Sequence, residues 1–202
     1  MRKELVVATK NAKKLTEIRQ LLKGLNFKIT SLADYPDAPR IIENGETFKE
    51  NAVKKALTIS RYTHKLTLGE DSGLCVDALG GKPGIYSSRF AGKHKSDLQN
   101  NRKLLAMLSP FKGLQRKAGY VCAVALADGK GFLKVFEGRC SGYIGHKFKG
   151  RYGFGYDPLF IIPRYQKTFA QLGPSVKHRI SHRFRALKKA RHALVTYLRK
   201  NP

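Results

Sequence analysis

Six carboxylates (Glu43, Glu46, Glu50, Glu70, Asp71 and Asp77) fall between residues 43 and 77 of a chain with 40 Lys+Arg against 14 Asp+Glu. Acids gathered in one stretch of so basic a protein can build a divalent-metal site, because Mg²⁺ takes one or two protein carboxylates and completes its shell with water and substrate phosphates. Helix caps and surface charges would account for them equally well. Glu70-Asp71-Ser72-Gly73 closes a β-like run, and open α/β sheets place their ligands at strand ends. The same four residues also read as a turn in which Asp and Ser bond the local backbone. Glu50 already has a structural job, since Thr47-Phe48-Lys49-Glu50 fits a capping box. Glu43, in the loop before it, has none so obvious and is the better second metal ligand.

A second group is basic. Thr9-Lys10-Asn11-Ala12-Lys13-Lys14 joins a strand-like run to a helix-like one. Unpaired N–H groups at a helix start favour an anion such as phosphate. Two lysines there work against the helix dipole, which hints at a ligand. The Gly-x-x-x-x-Gly-Lys pattern of a P-loop is not present. Phe154-Gly155-Tyr156-Asp157-Pro158 offers a ring on which a base could stack and a loop that could bond its edge. Lys177 and Ser181-His182-Arg183 lie at the approach to the last helix, where His182 and Arg183 gain nothing from its dipole.

Hydrophobic spacing supplies the elements that must carry these groups. Residues 4–9 read as a buried strand, 13–23 as a helix stopped by Gly24, and 27–30 as a second strand. A helix starts at Thr47, and 65–68 is a strand ending at Gly69. Gly80 to Gly84 is irregular, and 97–108 is helical. Two β-runs, 120–126 and 132–136, flank the hairpin signal Asp128-Gly129-Lys130-Gly131. Residues 159–162 form a strand, and a last helix with Ser181 as N-cap has Leu187, Ala190, Leu194 and Leu198 as its inner stripe. The order predicts an α/β fold: a mixed twisted sheet with flanking helices and an antiparallel β portion in the middle of the chain.

The 202 residues with 42% hydrophobic content suit one domain and argue against disorder. No apolar run approaches the roughly 18 residues of a membrane span, and Leu5-Val6-Val7-Ala8 is too brief for a secretory segment. Three cysteines without metal spacing fit reduced thiols. The expectation is a soluble cytoplasmic protein. Its formal charge of +26 draws polyanions, whether nucleic acid, an acidic membrane surface or small phosphorylated ligands.

Taken together, the motifs resemble the inosine triphosphate pyrophosphatase family. The likeness runs through Thr9-x-Asn11-x-x-Lys14-x-x-Glu17 and Glu43-x-Gly45-x-Thr47-Phe48-x-Glu50-Asn51-Ala52-x-x-Lys55-Ala56. It continues through Glu70-Asp71-Ser72-Gly73-Leu74-x-Val76-Asp77-Ala78-Leu79-Gly80-Gly81-x-Pro83-Gly84-x-Tyr86-Ser87 to Gly153-Phe154-Gly155-Tyr156-Asp157-Pro158, Lys177 and Ser181-His182-Arg183. The resemblance implies a single domain of two lobes around a central cleft, a homodimer, and Mg²⁺-dependent hydrolysis of ITP, dITP or XTP to the monophosphate and pyrophosphate. It implies that Thr9, Lys10, Asn11, Ala12, Lys13, Lys14 and Lys55 hold phosphates. Asp71 would be catalytic and, with Glu43, a metal ligand. Ser72, Phe154, Gly155, Tyr156, Asp157, Lys177, His182 and Arg183 would embrace the rest of the substrate. Three features depart from the family pattern: Lys10 where a small residue is usual, Gln171 where glutamate is usual, and the bulky basic loop His146 to Tyr152. Two other readings stay open on sequence alone: a Maf-like pyrophosphatase acting on pyrimidine or modified nucleotides, and a nucleic-acid-binding protein built on this fold.

Overall fold

The structure, a computed structural model, describes residues 2–92 and 96–201. Seven strands form one mixed sheet: β1 (Lys3–Val7), β2 (Phe27–Ser31), β3 (Leu66–Val76), β4 (Lys117–Asp128), β5 (Gly131–Ile144), β6 (Phe160–Ile162) and β7 (Lys167–Thr168). Their hydrogen-bonded order is β2-β1-β3-β4-β5-β6-β7. β1 runs parallel to β2 and β3, whereas β5, β6 and β7 pair antiparallel. The helices are α1 (Ala12–Leu21), α2 (Phe48–Thr63), α3 (Asp97–Met107), α4 (Phe169–Ile180) and α5 (His182–Lys200). Among the described residues no helix is long and apolar enough to cross a membrane.

The chain divides into two compact units. The first holds the residues up to Asp71, Cys122–Gly138 and the chain from Arg183 on. Both faces of its sheet are covered, so its strands are apolar throughout rather than alternating. Leu5 and Val7 face α1 and α5 with Ile18, Leu22, Leu187 and Leu194, while Val6 and Ala8 face away from that core. On β4 the division is sharper. Cys122, Val124 and Leu126 point into the large core, but Ala123, Ala125 and Ala127 meet Ala52 and Ala56 of α2. Methyl groups on both sides let α2 lie close to the sheet. At Gly69 the approach is closer still: a Cβ there would sit 2.1 Å from the Ala52 carbonyl oxygen and 2.6 Å from the Ala56 nitrogen.

The second unit holds Ser72–Val121 and Arg139–His182. Its core joins Leu74 and Val76 of β3, Leu104 and Leu108 of α3, Tyr120, Phe160 and Phe169. Tyr120 and Phe160 meet edge to face with centroids 4.7 Å apart, a favourable aromatic geometry.

Two sequence expectations change, and one helix falls where no element was assigned. The strand predicted for 65–68 does not stop at Gly69; β3 continues through Glu70 and Asp71 to Val76, with both acids buried. Lysine and arginine neighbours, invisible to local periodicity, make that burial tolerable. β5 likewise runs to Ile144, well past residue 136. Helix α4 was not foreseen because Gly173-Pro174 reads as a break; Gly173 is indeed non-helical, at φ 75° and ψ 177°. Within α4, Gln171 accepts from the Thr168 N–H at 3.0 Å while its own N–H bonds the Thr168 hydroxyl. Glutamine closes that capping box as well as glutamate, so this departure carries no structural cost.

Candidate functional site

In the first unit the site starts at the end of β1. The Asn11 N–H bonds the Thr9 hydroxyl at 3.1 Å, and the Asn11 side chain caps α1 by accepting from the Lys14 N–H at 3.1 Å. No acid occupies the first turn of α1, and Lys10, Asn11, Ala12 and Lys13 are exposed. A basic helix start open to solvent is the arrangement an anion needs.

Helix α2 supplies Lys55, held against β3 by the alanine contacts and Gly69. Its Nζ lies 2.7 Å from Asp71 Oδ1, 2.8 Å from Glu43 Oε2 and 3.2 Å from the Glu70 carbonyl oxygen. Burial works against the Lys55 charge, but Asp71 and Glu43 more than offset it and hold its pKa above the usual lysine value. Burial pushes the Asp71 carboxyl above the ordinary range, and Lys55 and Lys14 pull it back only in part. The Thr47–Glu50 cap is present, though the Glu50 carboxylate returns to the Glu46 N–H at 2.9 Å rather than to Thr47's own N–H. That bond pins the loop from which Glu43 reaches Lys55.

Behind this pair lies a second, deeper network that sequence reasoning missed. Glu70 Oε2 pairs with Lys14 Nζ at 2.8 Å and Glu70 Oε1 with Arg183 Nη2 at 3.0 Å, while Arg183 Nη1 also pairs with Glu17. Arg183 is only 1% exposed. Burial alone would lower its pKa, but Glu70 and Glu17 outweigh it and raise it. The four groups tie α1, β3 and α5 together. Glu17 stands in the motif around Lys14 and Glu70 precedes Asp71, so spacing marked both without revealing the partnership. Cys122 donates to Glu70 Oε1 at 3.4 Å, and burial followed by Glu70 raises its thiol far above the usual range.

In the second unit, Phe154, Gly155, Tyr156, Asp157 and Lys177 come together. Asp157 Oδ2 lies 2.6 Å from Lys177 Nζ and accepts the Phe154 N–H at 2.9 Å. A Cβ at Gly153 would sit 2.0 Å from Asp157 Oδ2, so this turn, with φ +82° at Gly153, requires glycine. Lys177 Nζ stands 4.5 Å from the centroid of the Phe154 ring, a cation–π distance. Asp97 Oδ2 accepts from the Gly155 N–H at 2.8 Å, Asn101 Nδ2 donates to the Gly155 carbonyl at 2.8 Å, and Tyr120 OH accepts from the Tyr156 N–H at 3.1 Å. His182 stacks on Tyr120 with centroids 4.6 Å apart at 8°. Burial keeps the Tyr120 phenol protonated far above its usual range. Through these bonds the N–H groups of Phe154, Gly155 and Tyr156 serve the local architecture. Asp97 and Asn101, on a helix whose apolar spacing alone drew notice, position the loop.

The pieces define a nucleotide-handling α/β protein: a basic helix start and lysine-bridged carboxylates in one unit, an aromatic loop with a buried lysine in the other. Residues 5–193 match the Ham1 family, and the chain belongs to it. It is 46% identical over 191 residues to a dITP/XTP pyrophosphatase of Desulforamulus reducens, covering 95% of each chain. It is 48% identical over 185 residues to the protein of that description from Shouchella clausii, covering 91% of this chain and 92% of that one. Among solved structures it superposes with TM-score 0.87 on a HAM1 protein from Coxiella burnetii, at 37% identity and over 96% of this chain and 99% of that one.

Proposed function

We propose that this chain hydrolyses deaminated purine nucleoside triphosphates (ITP, dITP and XTP) to the monophosphate and pyrophosphate, clearing them from the nucleotide pool. The observation that carries the reading is the buried Lys55 bridging Glu43 and Asp71 in the same unit as a lysine-rich, solvent-open helix start. Thr9 to Lys14 and Lys55 bind the phosphates. Asp71, its basicity raised by burial, orients and deprotonates the attacking water, and Lys55 returns positive charge beside the departing pyrophosphate.

Glu43 and Asp71 suit Mg²⁺: they present oxygen donors to one cationic centre, and Mg²⁺ takes one or two carboxylates with phosphate and water as its other ligands. Among the described residues no three His, Cys, Asp or Glu side chains gather into a fuller cage. When bound, the ion would neutralise charge on the phosphates.

In this reading the chain is a single domain, and the enzyme acts as a cytoplasmic homodimer, as the family likeness suggests. Ser72 touches substrate next to Asp71, the Phe154 ring stacks on the base, and Gly155 and Tyr156 shape that platform. Lys177 and His182 face the base. Asp157 positions Lys177, and Arg183 positions Glu70 and Lys14 from behind. Selectivity follows from a donor aimed at the purine 6-oxo group, which adenine's amino group would leave unpaired.

With Mg²⁺ supplied, pyrophosphate release should be far faster from ITP, dITP and XTP than from ATP, GTP, UTP or CTP. Asp71→Asn should lower that rate by ~10²–10⁴-fold, the usual worth of a positioned acid or base. Release of inorganic phosphate instead of pyrophosphate would overturn the reaction assigned. Faster turnover of UTP or CTP would favour the Maf-like reading.

A further inference from the structure

The most strongly basic helix face takes no part in the proposed reaction. α5 buries Ala186, Leu187, Ala190 and Leu194 and turns Arg185, Lys188, Lys189, His192, Thr196, Arg199 and Lys200 outward. At about 100° per residue those seven positions fall within roughly a third of the helix circumference. No Asp or Glu occurs in α5, and none follows Asp157. Toward α1 the stripe widens, because Arg191 Nη1 bonds the carbonyl of the exposed Lys23 at 3.1 Å. Glu17 and Glu70 meet α5 at the buried Arg183, away from this face, while Glu137, whose carbonyl accepts from Lys189 Nζ at 2.8 Å, and Asp128, bonded to Tyr197, lie toward the β4–β5 hairpin.

We propose that this face docks on the phosphate backbone of double-stranded nucleic acid, without reading its sequence. From Arg185 to Lys200 the cations extend along about 22 Å of helix at 1.5 Å per residue. That span exceeds a single triphosphate and calls for a polymer of charge, such as a duplex with one phosphate per ~1.7 Å of axis. The exposed face holds no Phe, Tyr or Trp on which the bases of a single strand could stack, and His192 is its one ring. It holds no exposed large hydrophobic side chain to enter a bilayer interface either. What remains is charge at helical spacing on a rigid, well-packed element.

The test is fluorescence anisotropy with a labelled 20-base-pair DNA duplex between 50 and 200 mM KCl. Four to five phosphate contacts give a log–log salt slope near −4, or about 250-fold weaker binding across that range. Lys188→Glu/Arg199→Glu/Lys200→Glu should flatten the slope to about −1 and weaken binding at 50 mM by more than ~100-fold. Its melting temperature should match the parent's, since all three side chains are exposed. Lys112→Glu/Lys117→Glu/Lys167→Glu, an equal charge change on exposed sites of the other unit, should leave the slope near −4. Equal losses in the two variants would mean diffuse charge and overturn the proposal. So would tighter binding to single strands, absence of duplex binding at 50 mM, or capture only by phosphatidylserine vesicles.

Discussion

Replacing Lys55 by methionine keeps the length of the side chain and removes the charge between Asp71 and Glu43. The parent amine lies 2.7 Å from Asp71 and 2.8 Å from Glu43, and both Lys55 and Asp71 are buried. Removing one partner of a buried pair costs about 3–5 kcal/mol, because the remaining charge is left uncompensated. Lys14 still acts on Asp71, and Glu43 is solvent-exposed, so the lower end applies: about 3 kcal/mol. For a chain of this size that is a fall in Tm of roughly 6–12 °C. The cost depends on pH in a defined direction. Asp71 already binds its proton more tightly folded than unfolded, so its ionisation subtracts stability as pH rises above the unfolded value near 3.8. Lys55→Met raises the folded pKa further. Its deficit should therefore be small near pH 4, where Asp71 is protonated, and largest near pH 8. Urea denaturation across that range measures it, and Asp71→Asn placed on the Lys55→Met background should restore most of the loss. An equal deficit at both ends of the pH range, with no rescue by Asp71→Asn, would refute the coupling inferred between these groups.

Gly69→Ala would force α2 away from β3, since the new Cβ meets backbone atoms at 2.1 and 2.6 Å. Overpacking of this kind costs about 1–3 kcal/mol, and the displaced Lys55 should lower pyrophosphate release even at temperatures where the variant stays folded. Glu4→Gln probes an ion pair remote from the site. Partial burial raises the Glu4 pKa, but Lys65, Tyr35 and Thr30 outweigh it and hold the pKa at about 2. A depressed carboxylate stabilises the fold above its unfolded pKa and loses that contribution as pH falls toward the folded value. The variant should be less stable by about 1–2 kcal/mol at pH 7, after allowance for solvent screening, and the difference should shrink steadily below pH 4.5 in urea titrations.

Elements whose apolar spacing agrees with their final burial were legible from sequence: β1, α1, the start of α2, α3 and the inner stripe of α5. Glu70 and Asp71 were misplaced at a strand end because two adjacent acids look like a turn. What makes them strand residues is supplied from far along the chain, by Lys14, Lys55 and Arg183. Helix α4 was hidden by Gly173-Pro174, two residues that oppose helix locally but here sit at a kink. In the Phe154–Asp157 loop, composition drew attention to the segment but not to the partners of its backbone. Only the structure reveals that Asp97, Tyr120 and Asp157 take the N–H donors of residues 154–156. Local composition records which groups exist, and long-range partners decide which remain open to a ligand.

The same reasoning bears on the carboxylates that collect around β3 in so basic a chain. Around β3, Glu17, Glu43, Glu70 and Asp71 form ion pairs with Lys14, Lys55 and Arg183, and these seven groups sum formally to −1. A triphosphate drawn toward Lys10 and Lys13 at the start of α1 would meet repulsion from that cluster at the reacting phosphate. One divalent ion at Glu43 and Asp71 would turn −1 into +1, changing the sign of the local field where the attacking water and the leaving pyrophosphate must both be stabilised. Extra lysines on the outside cannot do this, because exposed charge beyond a Debye length of about 10 Å is largely screened. The overall +26 and the charge balance at β3 are therefore separate matters: one concerns what the surface attracts, the other the field that an ion at Glu43 and Asp71 would set.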